Sequence, residues 1–169
     1  MSSIATESRK SYNIIIVGDG GVGKTTFIKA LNGEKFNGIY TPTMEFTKHK
    51  IELLQNINII DTVGQGMYDT ERMCQESGFE IRCAIVMFDV CKLHCLKNVK
   101  KWINKIQKVY GEVPIIIIGN KDDIACDRKI RNEDIEAEYN DYPYFVCSSK
   151  EKTGIKEPIR YIWLHGVFI

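Results

Sequence analysis

The 169 residues are 44% hydrophobic and 27% charged, the proportions of an ordinary globular protein long enough for one proper core. A formal net charge of +1 supplies no global field toward nucleic acid or an anionic membrane, and no run is long and apolar enough to span a bilayer. The six cysteines, Cys74, Cys83, Cys91, Cys95, Cys126 and Cys147, are scattered, several inside apolar runs, and read as reduced core thiols of a cytoplasmic-type compartment rather than a disulfide framework.

Met1–Ser11 is polar, lacks the apolar stretch of a signal peptide and is expected to be a flexible segment ahead of a single domain over 12–169. Tyr12–Val17 is the first of three short runs rich in Ile and Val, with Cys83–Val90 and Val113–Gly119. Continuous apolar runs of this length predict strands of a parallel sheet buried on both faces. A helix is expected to open near Thr25. Thr43–Leu54 and Ile57–Asp61, joined at Gln55-Asn56, predict an antiparallel hairpin feeding the sheet. Leu96, Val99, Trp102, Ile103, Ile106 and Val109 recur at three- and four-residue steps among lysines 97, 100, 101, 105 and 108, the mark of an amphipathic helix. Another helix is expected near Asn132, with Asn132 as its cap and Glu133 and Asp134 in its first turn, and a last one over Gly154–Trp163. Strands alternating with helices predict a doubly wound α/β sandwich around a mostly parallel six-stranded sheet, with helices on both faces. Ligands of such folds bind beyond the carboxyl ends of the strands.

The chemistry is concentrated at those ends. Gly18-Asp-Gly-Gly-Val-Gly23-Lys24-Thr25 is a complete GxxxxGK[ST] loop between a strand and a helix. Its backbone, through Asp19, Gly20, Gly21, Val22, Gly23, Lys24, Thr25 and Thr26, is expected to wrap a phosphate chain, with the helix N-terminus adding partial positive charge. Lys24 would neutralise the β- and γ-phosphates, and the Thr25 hydroxyl would ligate Mg²⁺. Gly18, Gly20 and Gly23 also satisfy GxGxxG. A dinucleotide site, however, gains nothing from the trailing Lys24-Thr25, and it wants an acidic residue at the end of a second strand that is not evident here.

Asn120-Lys121-Asp122-Asp123 follows the third apolar run. The Asp123 carboxylate can accept from guanine N1–H and the 2-amino group together, whereas adenine would leave it buried and unpaired. A lost charge-assisted bond of that kind costs roughly 1.5–3 kcal/mol, enough to select the base. Asn120 would tie this loop to the phosphate loop, the Lys121 stem would cover one face of the base, and Ser148-Ser149-Lys150 could offer an amide to guanine O6. Taken alone, NKDD could be a solvated charged turn; following a phosphate loop, it reads as a base site. Cys91, His94 and Cys95 carry ligand-type atoms at close spacing, but without a second pair they read as packed or surface residues. The lysine face at 97–108 reads as solvated.

With these motifs in place, the chain resembles the small GTPases of the Ras superfamily from about Tyr12 to Trp163, and the Ran branch looks closest. The likeness rests on GDGGVGKTTF at Gly18–Phe27, CAIVMFDV at Cys83–Val90, and GNKDDI with DRKI between Gly119 and Ile130. The resemblance implies GTP and GDP as ligands, Mg²⁺ as cofactor, and slow hydrolysis of GTP to GDP and phosphate that is raised by an activating protein. It implies that Phe36 stacks on guanine, that Tyr40 closes over the phosphates, and that Thr43 binds Mg²⁺ and senses the γ-phosphate. Asp61-Thr-Val-Gly64 matches DxxG, so Asp61 would hold Mg²⁺ through water and the Gly64 amide would meet the γ-phosphate. Gln65 would position the attacking water, beside a Gly20 that must stay small. An exchange factor and effectors would act through two switch loops around Thr43 and Gly64.

Three departures qualify the likeness. Val63 and Gly66 replace the usual alanine and glutamate of DTAGQE, so slower intrinsic hydrolysis and a mobile second switch are expected; a GTP-binding module with very weak hydrolysis is the alternative. The stretch Thr43-Met-Glu-Phe46 is shorter than usual, which alters the surface met by effectors of the Ras and Rab types. Glu133, Asp134, Glu136, Glu138 and Asp141 stand where the Ran branch is basic, so weak or no binding to Ran-binding domains is expected. The terminal His165-Gly-Val-Phe-Ile169 offers no cysteine to prenylate, and a soluble monomer without a lipid anchor is expected.

Overall fold

A computed structural model describes residues 11–51, 56–64, 72, 74–124 and 128–165. Among the described residues these elements follow in order: β1 (Tyr12–Val17), α1 (Lys24–Leu31), β2 (Thr47–Lys50), β3 (Ile57–Asp61), β4 (Ile81–Asp89), α2 (Leu93–Tyr110), β5 (Ile115–Asn120), α3 (Asn132–Tyr139), β6 (Tyr144–Val146) and α4 (Lys156–Leu164). They build one six-stranded sheet in the order β2-β3-β1-β4-β5-β6. Every pairing is parallel except β2 with β3. This is the doubly wound α/β architecture expected from the sequence.

The three apolar runs form the middle of that sheet. Ile14–Val17 of β1, Cys83–Asp89 of β4 and all of β5 are buried, as strands covered on both faces must be. β2 lies at the edge with Lys48 and Lys50 exposed, charges that keep an open edge from pairing with another chain. The apolar stripe of α2 is buried through Cys95, Leu96, Val99, Trp102, Ile103 and Ile106, while Lys97, Lys100, Lys101 and Lys108 face solvent.

Two local expectations need correction. The first hairpin strand begins at Thr47 opposite Asp61, not at Thr43. Residues 43–46 make no ladder, and the Thr43 hydroxyl turns instead toward Thr25 and Asp61. Asn132 is the first residue of α3 rather than its cap, because its side-chain oxygen is taken by the Arg128 guanidinium. The Asp134 carboxylate caps the turn by accepting from the Arg131 amide at 2.8 Å.

Candidate functional site

The carboxyl ends of β1, β3, β4 and β5 point to one edge of the sheet, and the loops that leave them meet there. Between β1 and α1 the backbone turns through Gly18 (φ 147°) and Gly23 (φ 102°), where a side chain has no room. A β-carbon on Gly18 would collide with the Met87 carbonyl, and one on Gly23 with the Asn120 side chain. Lys24 folds back over this turn, and its ammonium donates to the carbonyls of Gly18 (2.8 Å) and Asp19 (3.1 Å). Burial lowers its pKa to about 8, although the Asp61 and Asp19 carboxylates pull upward. Among the described residues the hydrogen bonds of this buried ammonium go to carbonyls, and an incoming anion would complete its set of partners.

Thr25, Thr43 and Asp61 converge next to it. The Thr25 hydroxyl donates to Asp61 Oδ2 at 2.6 Å and lies 3.0 Å from the Thr43 hydroxyl, which is itself 3.4 Å from Asp61 Oδ2. Asp61 Oδ1 is buried without a hydrogen-bond partner among the described residues. Two hydroxyls and a carboxylate with one unsatisfied oxygen form an all-oxygen set, which fits a hard divalent cation such as Mg²⁺ directly or through water. Gly64 approaches so closely that a β-carbon there would fall 2.8 Å from the amide nitrogen of Gly20. The adjoining Thr62, fully buried, donates to the Ile16 carbonyl at 2.7 Å and locks the start of this loop to β1. Gln65 and Gly66 lie outside the described residues.

A third set of loops closes the site. Asn120, 1% exposed, donates from Nδ2 to the Val22 carbonyl (2.9 Å). Its Oδ1 accepts from the Ser149 amide (3.0 Å) and hydroxyl (2.9 Å). One side chain thus joins the phosphate loop, the end of β5 and the loop after β6. The Ser148 hydroxyl donates to Asp123 at 2.6 Å, and the Lys150 ammonium stands 3.7 Å from the other carboxylate oxygen. Lys121 adopts a left-handed backbone (φ 73°), with its ammonium paired to Asp89 at 2.8 Å.

The cleft among these loops is lined by Gly20, Gly21, Gly23, Lys24, Thr25 and Thr26, by Phe36, Tyr40 and Thr43, and by Gly64, Lys121 and Ser149. Asp19, Val22, Asp61, Asn120, Asp123, Ser148 and Lys150 stand back from that lining. For Asn120 and Val22 the reason is that they brace the wall. The Asp19 carboxylate turns away from the phosphate side and accepts from Asn98 Nδ2 (2.8 Å) and Trp102 Nε1 (2.9 Å) on α2. Tyr40 is 60% exposed, yet its ring edge comes within 4.0 Å of where a Gly21 β-carbon would be, so it overhangs the loop.

Four contributors escape a reading by motif. Asp89 positions Lys121, Thr62 anchors the loop after β3, and Asn98 and Trp102 hold Asp19. Only Asp89 carries a signal, an acid at the end of an otherwise apolar strand. A glycine-rich loop of this geometry between β1 and α1, on this sheet order, with the loop after β5 closing the same cleft through Lys121, defines a P-loop nucleotide-binding domain. The sequence model of the Ras family matches residues 13–165, and the chain belongs to that family. Ras-family proteins are guanine-nucleotide-binding switches that generally hydrolyse GTP and typically take Mg²⁺.

Proposed function

We propose that this protein is a molecular switch that binds GTP with Mg²⁺ and hydrolyses it to GDP and phosphate. The observation that carries the reading is the convergence of the Thr25, Thr43 and Asp61 oxygens beside the Lys24 ammonium. Mg²⁺, when bound, would neutralise phosphate charge and order the triphosphate. Thr25 and Thr43 would ligate it, and Asp61 would hold its water. Lys24 leaves its two carbonyl partners for the β- and γ-phosphates, and the amides from Asp19 to Thr26 cradle the chain. The Gly64 amide donates to the γ-phosphate, and Gln65 orients the attacking water in line. Asp123 selects guanine, Asn120 holds its loop, Phe36 and the Lys121 stem cover the base, and a Ser149 or Lys150 amide meets O6.

Thr43 and Gly64 sit on separate loops that touch the same phosphate, so losing it releases both; that is the switch. Exchange factor, activating protein and effectors would read those loops. Likeness to the Ran branch rests on the sequence wording alone. The exposed acids Glu133, Glu136, Glu138 and Asp141 support a reading in which acidic Ran-binding domains are repelled. A cytoplasmic, monomeric protein completes the proposal.

Multiple-turnover phosphate release from GTP tests it, with Mg²⁺ or with EDTA. The expected result is a slow Mg²⁺-dependent rate that falls in Gln65→Leu. A wild-type rate no greater than that of Gln65→Leu would favour the alternative, a GTP-binding module with very weak turnover, to which Val63 and Gly66 already point.

A further inference from the structure

Behind the phosphate loop, on the side away from the nucleotide cleft, the first turn of α2 brings three different ligand chemistries together. A carboxylate oxygen of Asp19, a ring nitrogen of His94 and the sulfur of Cys95 all lie within 4.8 Å of one another. We propose that these residues bind a borderline divalent cation of the Zn²⁺ type, which clips the phosphate loop to α2.

The donor set argues for that class of ion. Sulfur and imidazole nitrogen exclude Mg²⁺ and Ca²⁺, which take oxygen, and select Zn²⁺, Co²⁺ and their neighbours. Tetrahedral bonds of about 2.0–2.3 Å put ligand atoms roughly 3.5 Å apart, so atoms that lie within 4.8 Å of one another need close by no more than about 1.3 Å. The fixed members are already in place. Cys95 is 3% exposed, and both oxygens of Asp19 are oriented by the donors of Asn98 and Trp102. Such outer hydrogen bonds commonly aim metal-binding carboxylates. The member free to move is His94, exposed in the first turn of α2, whose ring makes no hydrogen bond to another described residue. Cys91 does not belong to the cluster, because its sulfur faces the carbonyls of Lys121 and Ile124.

Burial, reinforced by the neighbouring Asp19 and Asp89 charges, pushes the Cys95 thiol up to about 11, so it is no reactive thiolate by itself. On metal binding its S–H bond breaks, the proton passes to solvent, and the sulfur electron pair goes to the cation. Water takes the fourth position. The site stands apart from the oxygen cluster of Thr25, Thr43 and Asp61, and its ion would be a structural clip rather than a participant in phosphate chemistry.

The test is Co²⁺ titration of the GDP- and Mg²⁺-loaded full chain, followed by displacement with Zn²⁺. A near-ultraviolet thiolate-to-cobalt band reports sulfur ligation, which an oxygen-only Mg²⁺ site cannot produce. The expected result is one equivalent showing the band, retained in Cys91→Ser, lost in Cys95→Ser, and weakened more than about tenfold in His94→Ala. Should Cys95→Ser fail to fold, His94→Ala, an exposed position, decides alone. Absence of the band in the wild type, undiminished affinity in His94→Ala, or loss of the band in Cys91→Ser overturns the proposal.

Discussion

Lys24 makes nucleotide affinity depend on pH in a window where few other groups titrate. The side chain is 6% exposed, and burial lowers its pKa from the ordinary 10.5 to about 8 in the nucleotide-free protein. Phosphates placed against the ammonium would stabilise its charge, so the bound form keeps the proton well above that value. Above pH 8 binding must therefore be accompanied by proton uptake. The protonated fraction falls from half at pH 8 to about a tenth at pH 9, which weakens GDP binding by about fivefold across that one unit. The linkage to folding has the opposite sign. A folded pKa below the unfolded one means that the unfolded chain binds more protons between pH 8 and 10.5. This group's destabilising contribution is fully present below pH 8 and is relieved as pH rises, by on the order of 3 kcal/mol in all. The assay is equilibrium binding of fluorescent GDP to EDTA-stripped protein at pH 7, 8 and 9, with Lys24→Met as reference. The expected profile is flat to about pH 7.5 and then falling in the wild type, but flat in the variant. A flat wild-type profile, or the same slope in both proteins, would refute the argument.

Three further outcomes follow from the geometry. Asn120→Ala removes the side chain that spans three loops and leaves the Val22 carbonyl and Ser149 unsatisfied in a buried place. Stability should drop by about 2–4 kcal/mol in urea denaturation, and stopped-flow should show faster nucleotide release. Thr62→Val keeps the shape but deletes the bond to Ile16, so about 1–3 kcal/mol of stability should be lost, read by the shift in urea midpoint at constant slope. Gly64→Ala drives a methyl against the backbone of Gly20 and the Lys24 ammonium. Competition binding should show the GTP-to-GDP affinity ratio falling by about tenfold, or about 1.4 kcal/mol, because only the triphosphate needs that approach.

What could be read from the chain is what short-range chemistry dictates. The apolar strands, the period of α2 and the glycine-lysine-threonine loop all follow from rules spanning fewer than ten residues. Sheet order then carried the loops to one edge with no further information. The errors are equally physical. Thr43–Phe46 has the composition of a strand, but Thr43 exchanges a ladder for oxygens that lie far along the chain. Asn132 has the chemistry of a helix cap, but an arginine four residues earlier claims its oxygen. The contacts that hold Lys121 to Asp89, or Asp19 to Trp102, join positions 32 and 83 residues apart, and no local pattern announces such pairs.

Asp19 illustrates what this means for the site. By motif it is one more member of the phosphate loop, and a carboxylate there is an awkward neighbour for an anionic ligand. Its side chain resolves the conflict by turning to Asn98 and Trp102, whose donors stabilise the charge on the far side of the loop while its backbone remains available to the phosphates. The same turn delivers the carboxylate to His94 and Cys95. Cys91, which sequence spacing alone groups with those two, is replaced by a residue more than seventy positions earlier. A ligand cluster of three chemistries is therefore a consequence of keeping negative charge away from the nucleotide. If the cation binds there, it occupies a place that the phosphate loop's own electrostatics had already prepared.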